Sequence, residues 1–147
     1  VSESRDSFGG GLQVDGALQD ELSVVYLFQV QISGCFTMSQ TYRPMGGGIE
    51  LDGGTLFVLD TNIVDCQCIA KWHYASGGGL MVAGNGGVLM DHSWIANCSA
   101  VSMKREALGG GMKQEEGWMA MEHSRITGCS ASCRKNTSTW YPMYTVD

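Results

Sequence analysis

Short stretches of this chain alternate apolar and polar residues with a period of two. Leu12/Val14, Ile49/Leu51 and Leu80/Val82 form one set, with Met112/Gln114 a weaker fourth. Val25/Leu27, Leu56/Val58, Val88/Met90 and Met119/Met121 form a second set. A glycine separates the two sets each time: Gly16, Gly53, Gly84 and Gly117. A third stretch reads "ISGC", "IVDC", "IANC" and "ITGC", which places Ile32, Ile63, Ile95 and Ile126 three residues before Cys35, Cys66, Cys98 and Cys129. Successive side chains of an extended chain point to opposite faces, so period two predicts strands. No segment carries a convincing helical period, and the expected class is all-β.

The strands recur in a fixed frame. Triple glycines begin at Gly9, Gly46, Gly77 and Gly109. The steps between the four cysteines are 31, 32 and 31 residues, and each of the first three cysteines stands 11 residues before the next triple glycine. The first copy carries about six extra residues around "DGALQDELS", which reads as a loop insertion. A unit this short with three strands cannot bury its apolar row alone, but a stack of units can. The prediction is a right-handed parallel β-helix solenoid of about four coils, three short strands per coil, with equivalent residues about 4.8 Å apart and the four isoleucines stacked inside. It forms one domain over 1–147, with repeats at about 9–45, 46–76, 77–108 and 109–133, and 134–147 as a tail or cap. The triple glycines suit a tight corner that needs positive φ and close approach of neighbouring coils. A phosphate-cradling loop would need a helix behind it.

Composition narrows the classes. Glycine is abundant, at 21 residues of 147, but lacks the every-third spacing of collagen, and it separates patterned apolar segments rather than diluting them. A net charge of −6 argues against nucleic acid or an anionic membrane as partner. No run of 18 apolar residues is present, so no membrane span is expected. The first residue is Val1, as expected of a processed product or a piece of a longer protein or assembly.

The repeat resembles right-handed parallel β-helices of the pectate-lyase-like superfamily. It is closest in style to polymorphic outer-membrane-protein repeats, where a "GGAI" tetrapeptide alternates with "FxxN". Here "GGGL", "GGGI", "GGGL" and "GGGM" stand in the first role and "IxxC" in the second, over roughly Phe8 to Ala131. Cys replaces the family's Asn in all four copies. The resemblance implies an extracellular or cell-surface setting. The superfold includes polysaccharide lyases, hydrolases, adhesins and passive scaffolds, so it does not select an activity. The lyase-like enzymes use acidic residues with Lys or Arg on one face. Asp15, Asp52 and Glu115 form an acidic row that Ala83 interrupts, and no complete catalytic set can be assigned.

Other polar residues form ladders too. The four ladder cysteines read as buried, reduced thiols, since parallel Cβ vectors about 4.8 Å apart exceed disulfide spacing. Cys68 is expected in the core, and Cys133 after the last full coil. In-line thiols do not surround a zinc ion. Gln29, Asp60, His92 and His123 each precede an Ile by three and read as a solvated polar stack at a bend. A metal on Asp60, His92 and His123 is the geometric alternative. No metal or other cofactor is assigned. A Ser-His-Asp triad from Asp91, His92 and Ser93 fails, because neighbours in a strand point apart.

The segments after each Cys differ most between copies. Six of the nine basic residues fall there: Arg43, Lys71, Lys104, Arg105, Arg134 and Lys135. So do Tyr42, Trp72, Tyr74, Trp140 and Tyr141. Solenoid loops leave one edge, so these residues should share one side. The candidate binding residues are Tyr42, Arg43, Lys71, Trp72, Tyr74, Lys104 and Arg105, in a non-catalytic interaction module with a protein partner. The alternative is a carbohydrate-binding or carbohydrate-active β-helix, with the aromatic residues stacking on sugar rings. A third alternative, covering of strand ends by Trp72 and Trp140, is purely structural. Flat Thr ladders, the mark of an ice-binding solenoid, are missing. Asn97-Cys98-Ser99 and Asn136-Thr137-Ser138 match the glycosylation pattern, the first inside an expected strand.

Overall fold

A computed structural model describes residues 7–16 and 23–134. The described residues form a parallel β-solenoid of about four coils without helices, so none crosses a membrane as a helix. Each coil contributes one strand to each of five four-stranded sheets. In chain order the first sheet holds Ser7–Phe8, Pro44–Met45, Ala75–Ser76 and Ala107–Leu108. The second holds Leu12–Asp15, Ile49–Asp52, Leu80–Ala83 and Met112–Gln114. The third holds Val24–Phe28, Thr55–Leu59, Gly87–Asp91 and Trp118–Glu122. The fourth holds Gln31–Ser33, Asn62–Val64, Trp94–Ala96 and Arg125–Thr127. The fifth holds Phe36–Ser39, Gln67–Ala70, Ser99–Ser102 and Ser130–Cys133. The three strands expected per coil are the second, third and fourth. The first and fifth sheets fall in the segments expected as loops; their buried residues, such as Thr37, Ser39, Ala75, Ser76 and Ser102, are small or polar and give no apolar alternation.

Register follows the sequence frame. Ile32, Ile63, Ile95 and Ile126 are Cα partners in one row of the fourth sheet. Ile63 and Ile95 are fully buried, whereas Ile32 and Ile126 are partly open; among the described residues their coils pair with a neighbour on one side only. Each inner isoleucine contributes about 1.5–3 kcal/mol by burial. Gly16 and Ser23 lie against Gly53 and Thr55, which leaves residues 17–22 as the insertion, outside the described residues.

The cross-section has two cores. Leu, Val, Ile, Met and the ladder cysteines fill the larger one, between the second, third and fourth sheets. Cys68, Ala70, Ala75 and Ala100 form a smaller one with Ala107 and Ala131. The second sheet divides them, so in its inner strands Glu50 and Met81 are buried as well as Ile49, Leu51, Leu80 and Val82. A strand covered on both faces loses the alternation that a one-sided strand shows.

The triple glycine makes this waist possible, and each residue has its own reason. Gly46 has φ of 60° and turns the chain. A side chain on Gly47 would overlap the carbonyl of Gly78 and the backbone of Gln67. A Cβ on Gly48 would lie 2.8 Å from Ile63 Cγ2 and 3.1 Å from Cys66 Sγ. The corner thus brings two sheets together while leaving room for the isoleucine and cysteine rows.

Two further bends share one design. Gln29, Asp60, His92 and His123 have φ between 46° and 55°. The next residue turns inward: Thr61 accepts from Val30 N–H at 3.2 Å, Ser93 from Thr61 N–H at 2.9 Å and Ser124 from Ser93 N–H at 3.1 Å. Each of these hydroxyls also donates at 2.8 Å to the carbonyl two residues back. The second bend repeats this with Gly34, Asp65, Asn97 and Gly128 in the left-handed region and the ladder cysteines turned inward. Thiols of Cys66, Cys98 and Cys129 donate at 3.3 Å to the carbonyls of Val64, Ala96 and Thr127. Cys66 and Cys98 N–H groups donate to the next coil's sulfur at 3.4 Å. The ladder is therefore a hydrogen-bonding corner as well as apolar filling, which the sequence reading did not foresee.

Candidate functional site

The loops between the fifth and first sheets have four residues each, at 40–43, 71–74 and 103–106. They leave equivalent corners of consecutive coils and lie side by side. Lys71 N–H donates to Ser39 O at 3.0 Å and Met103 N–H to Ala70 O at 2.9 Å, so the coil pairing runs into the loops. Serines at the strand ends fix the turns: Ser39 Oγ accepts from Tyr42 N–H at 3.1 Å, and Ser102 Oγ from Arg105 N–H at 2.9 Å. Ser102 Oγ also donates to His73 O at 2.7 Å, tying one loop to the next. Short loops held at both ends set their side chains on a defined grid.

On that grid the cations sit on aromatic rings. Tyr74 has the Arg43 guanidinium 5.5 Å from its ring centroid and that of Arg105 at 5.4 Å. Arg105 Nη1 also donates to Tyr74 Oη at 3.4 Å. Trp72 has the Lys104 ammonium at 5.4 Å and that of Lys71 at 6.0 Å. Tyr42 and His73 are parallel, with centroids 6.5 Å apart. Each cation–π contact contributes about 0.5–1 kcal/mol at an exposed site. All seven sequence-derived residues thus stand on one edge. Trp72 is 50 % exposed, so half of its indole remains available for contact. Of the tail residues assigned to this edge, Arg134 is described and exposed. Lys135, Trp140, Tyr141 and the Asn136 glycosylation motif lie outside the described residues. Asn97 occupies an exposed bend, not a strand as expected, while Cys98 of that motif is buried.

The polar ladder at the third-to-fourth-sheet bend is exposed, as expected, but its contacts differ from the expectation. His92 Nδ1 lies 2.8 Å from Asp91 Oδ1, and His123 Nδ1 lies 3.2 Å from the same oxygen. Asp91, not Asp60, joins the two histidines. The alternation argument fails here because His92 follows the strand in the left-handed region, which swings it toward Asp91. Desolvation works to raise the Asp91 carboxyl, yet hydrogen bonds from His123 and His92 outweigh it and hold the group below its ordinary range. Ser93 is buried, and its single hydroxyl proton is taken up by the backbone carbonyls of Asp91 and Val58, 2.8 and 3.0 Å away, so no triad forms. The acids Asp15, Asp52 and Glu115 are exposed along their edge.

Sequence reasoning missed the outer face of the third sheet. Val24, Tyr26, Phe28 and Trp118 are exposed there, and Tyr26 stacks on Phe57 with centroids 4.7 Å apart and planes 8° apart. The signal was the unbroken apolar run Val24–Phe28, whose even and odd positions are both apolar. Searches against protein-family models, curated proteins and solved structures found no match to this chain.

Proposed function

We propose that the protein is a non-catalytic interaction module, a scaffold subunit or adhesin-like segment, that holds an acidic surface of a protein partner against its loop edge. The observation that carries this reading is the cation–aromatic grid of Arg43, Lys71, Trp72, Tyr74, Lys104 and Arg105 on three consecutive loops. It concentrates positive charge on a chain whose net charge is −6. Aromatic rings flanked by Arg are the usual anchors of an interface, and a short pinned loop loses little entropy on binding. The likeness to pectate-lyase-like β-helices and polymorphic outer-membrane repeats supports an extracellular or cell-surface setting.

The half-exposed indole of Trp72 favours a second reading, stacking on a sugar ring. A fluorescent glutamate-rich peptide and a panel of neutral oligosaccharides separate the two by anisotropy. On the protein-partner reading, the peptide binds with strong salt dependence and the combined Arg43→Gln, Lys104→Gln and Arg105→Gln variant loses it. Oligosaccharide binding that survives this variant but not Trp72→Ala supports the glycan reading. Cleavage of a polysaccharide overturns the non-catalytic assignment.

A further inference from the structure

We propose that Asp91, His92 and His123 bind a divalent transition-metal ion of the zinc class across the third and fourth coils. The three donor atoms lie within 4.8 Å of one another. Two separations, 2.8 Å and 3.2 Å, run from the histidine Nδ1 atoms to the single oxygen Asp91 Oδ1. Donors of a tetrahedral zinc site with bonds of about 2.0–2.1 Å stand about 3.3–3.4 Å apart, so both histidine–carboxylate separations are already near coordinating spacing. The rings are nearly parallel, with centroids 4.6 Å apart and planes 22° apart.

The scaffold fixes this approach. His92 and His123 occupy the same bend position one coil apart, and Asp91 pairs in register with Glu122 in the third sheet. Their side chains are 59 % and 69 % exposed, so small rotations can draw both nitrogens onto an ion that enters directly from solvent. Two imidazoles and one carboxylate suit zinc, copper or nickel, and disfavour calcium or magnesium, which take oxygen donors. Three protein donors leave further positions for water or a partner's side chain. Asp60 occupies the equivalent bend position one coil before His92 and adds negative charge on the approach. The ion would join one coil to the next, so it would bind the folded chain and not the unfolded one.

Titration of the Cys133→Ser protein with ZnCl2 by calorimetry, and with CoCl2 by visible absorption, tests this. Cys133 is removed because an exposed thiol competes for both ions. The expected result is one ion per chain, a Co(II) spectrum without thiolate charge transfer, and a rise in melting temperature. His92→Ala and His123→Ala should each weaken zinc about tenfold or more, the scale seen even for loss of an outer partner. Both variants remove exposed groups, and circular dichroism checks that the stack persists. Saturable one-to-one binding that survives in the double variant, a thiolate spectrum, or no saturable binding overturns the proposal.

Discussion

The backbone N–H of Cys66 donates to the thiol of Cys98, 3.4 Å away and one coil on. A thiol that only filled space would be replaced best by an apolar residue of similar size. A thiol that accepts this bond is replaced best by serine, which performs the same task at Ser93. Cys98→Val should therefore cost more than Cys98→Ser, by about 1–2 kcal/mol, because it leaves the Cys66 N–H buried and unpaired. Urea unfolding of the two variants measures the difference, and the reverse order refutes the hydrogen-bonding role.

Cysteine accessibility should follow position in the stack. Cys133 is exposed, Cys35 and Cys129 at the ends are half-buried, and Cys66, Cys68 and Cys98 are closed. A thiol reagent applied to the native protein should react first at Cys133, slowly at the two end positions, and at the closed three only on unfolding. Peptide mapping of the labelled sites checks the order.

Cys68 links this burial to pH. Burial pushes its thiol up from 9.0 to about 12. The folded state then holds a proton that the unfolded state releases, so its stabilising effect is complete below pH 9 and is lost as pH rises toward 12. Across that window this one group lowers stability by up to about 1.4 kcal/mol per pH unit. Comparing the parent with Cys68→Ala by denaturant unfolding isolates the slope; equal slopes in both proteins contradict the assignment.

Glycines of different kinds should respond differently. Gly47→Ala should cost more than about 3 kcal/mol, because its Cβ meets backbone on two sides. Gly34 has φ of 63° with open space around its Cβ, so Gly34→Ala should cost only about 1–2 kcal/mol of backbone strain. Gly34→Asn should be nearly neutral, since Asp65 and Asn97 hold the same bend in the inner coils. Melting temperatures of the three variants rank them.

Trp72→Ala distinguishes contact from covering. With half of the indole exposed, its loss should change stability by less than about 1 kcal/mol while weakening the labelled acidic peptide by more than about 1 kcal/mol. Unfolding of the variant would make Trp72 a structural cover.

The repeat frame, the strand rows and the shared loop edge were legible because each depends on spacing. Steps of 31, 32 and 31 residues between Cys35, Cys66, Cys98 and Cys129 bring equivalent residues into register, and with them the segments carrying Tyr42, Trp72 and Arg105. Tertiary structure alone decided what depends on packing from both sides or on one dihedral angle. Glu50 and Met81 alternate with the apolar positions of their strands and are nonetheless buried, because the second sheet is covered on both faces. Asp91 and His92 read as diverging neighbours until positive φ at His92 swung the ring onto the carboxylate. Tyr26 and Phe57 met because adjacent coils brought two outward positions into register. Alternation records which side chains share a face of a strand, but the segment covering that face comes from elsewhere in the chain.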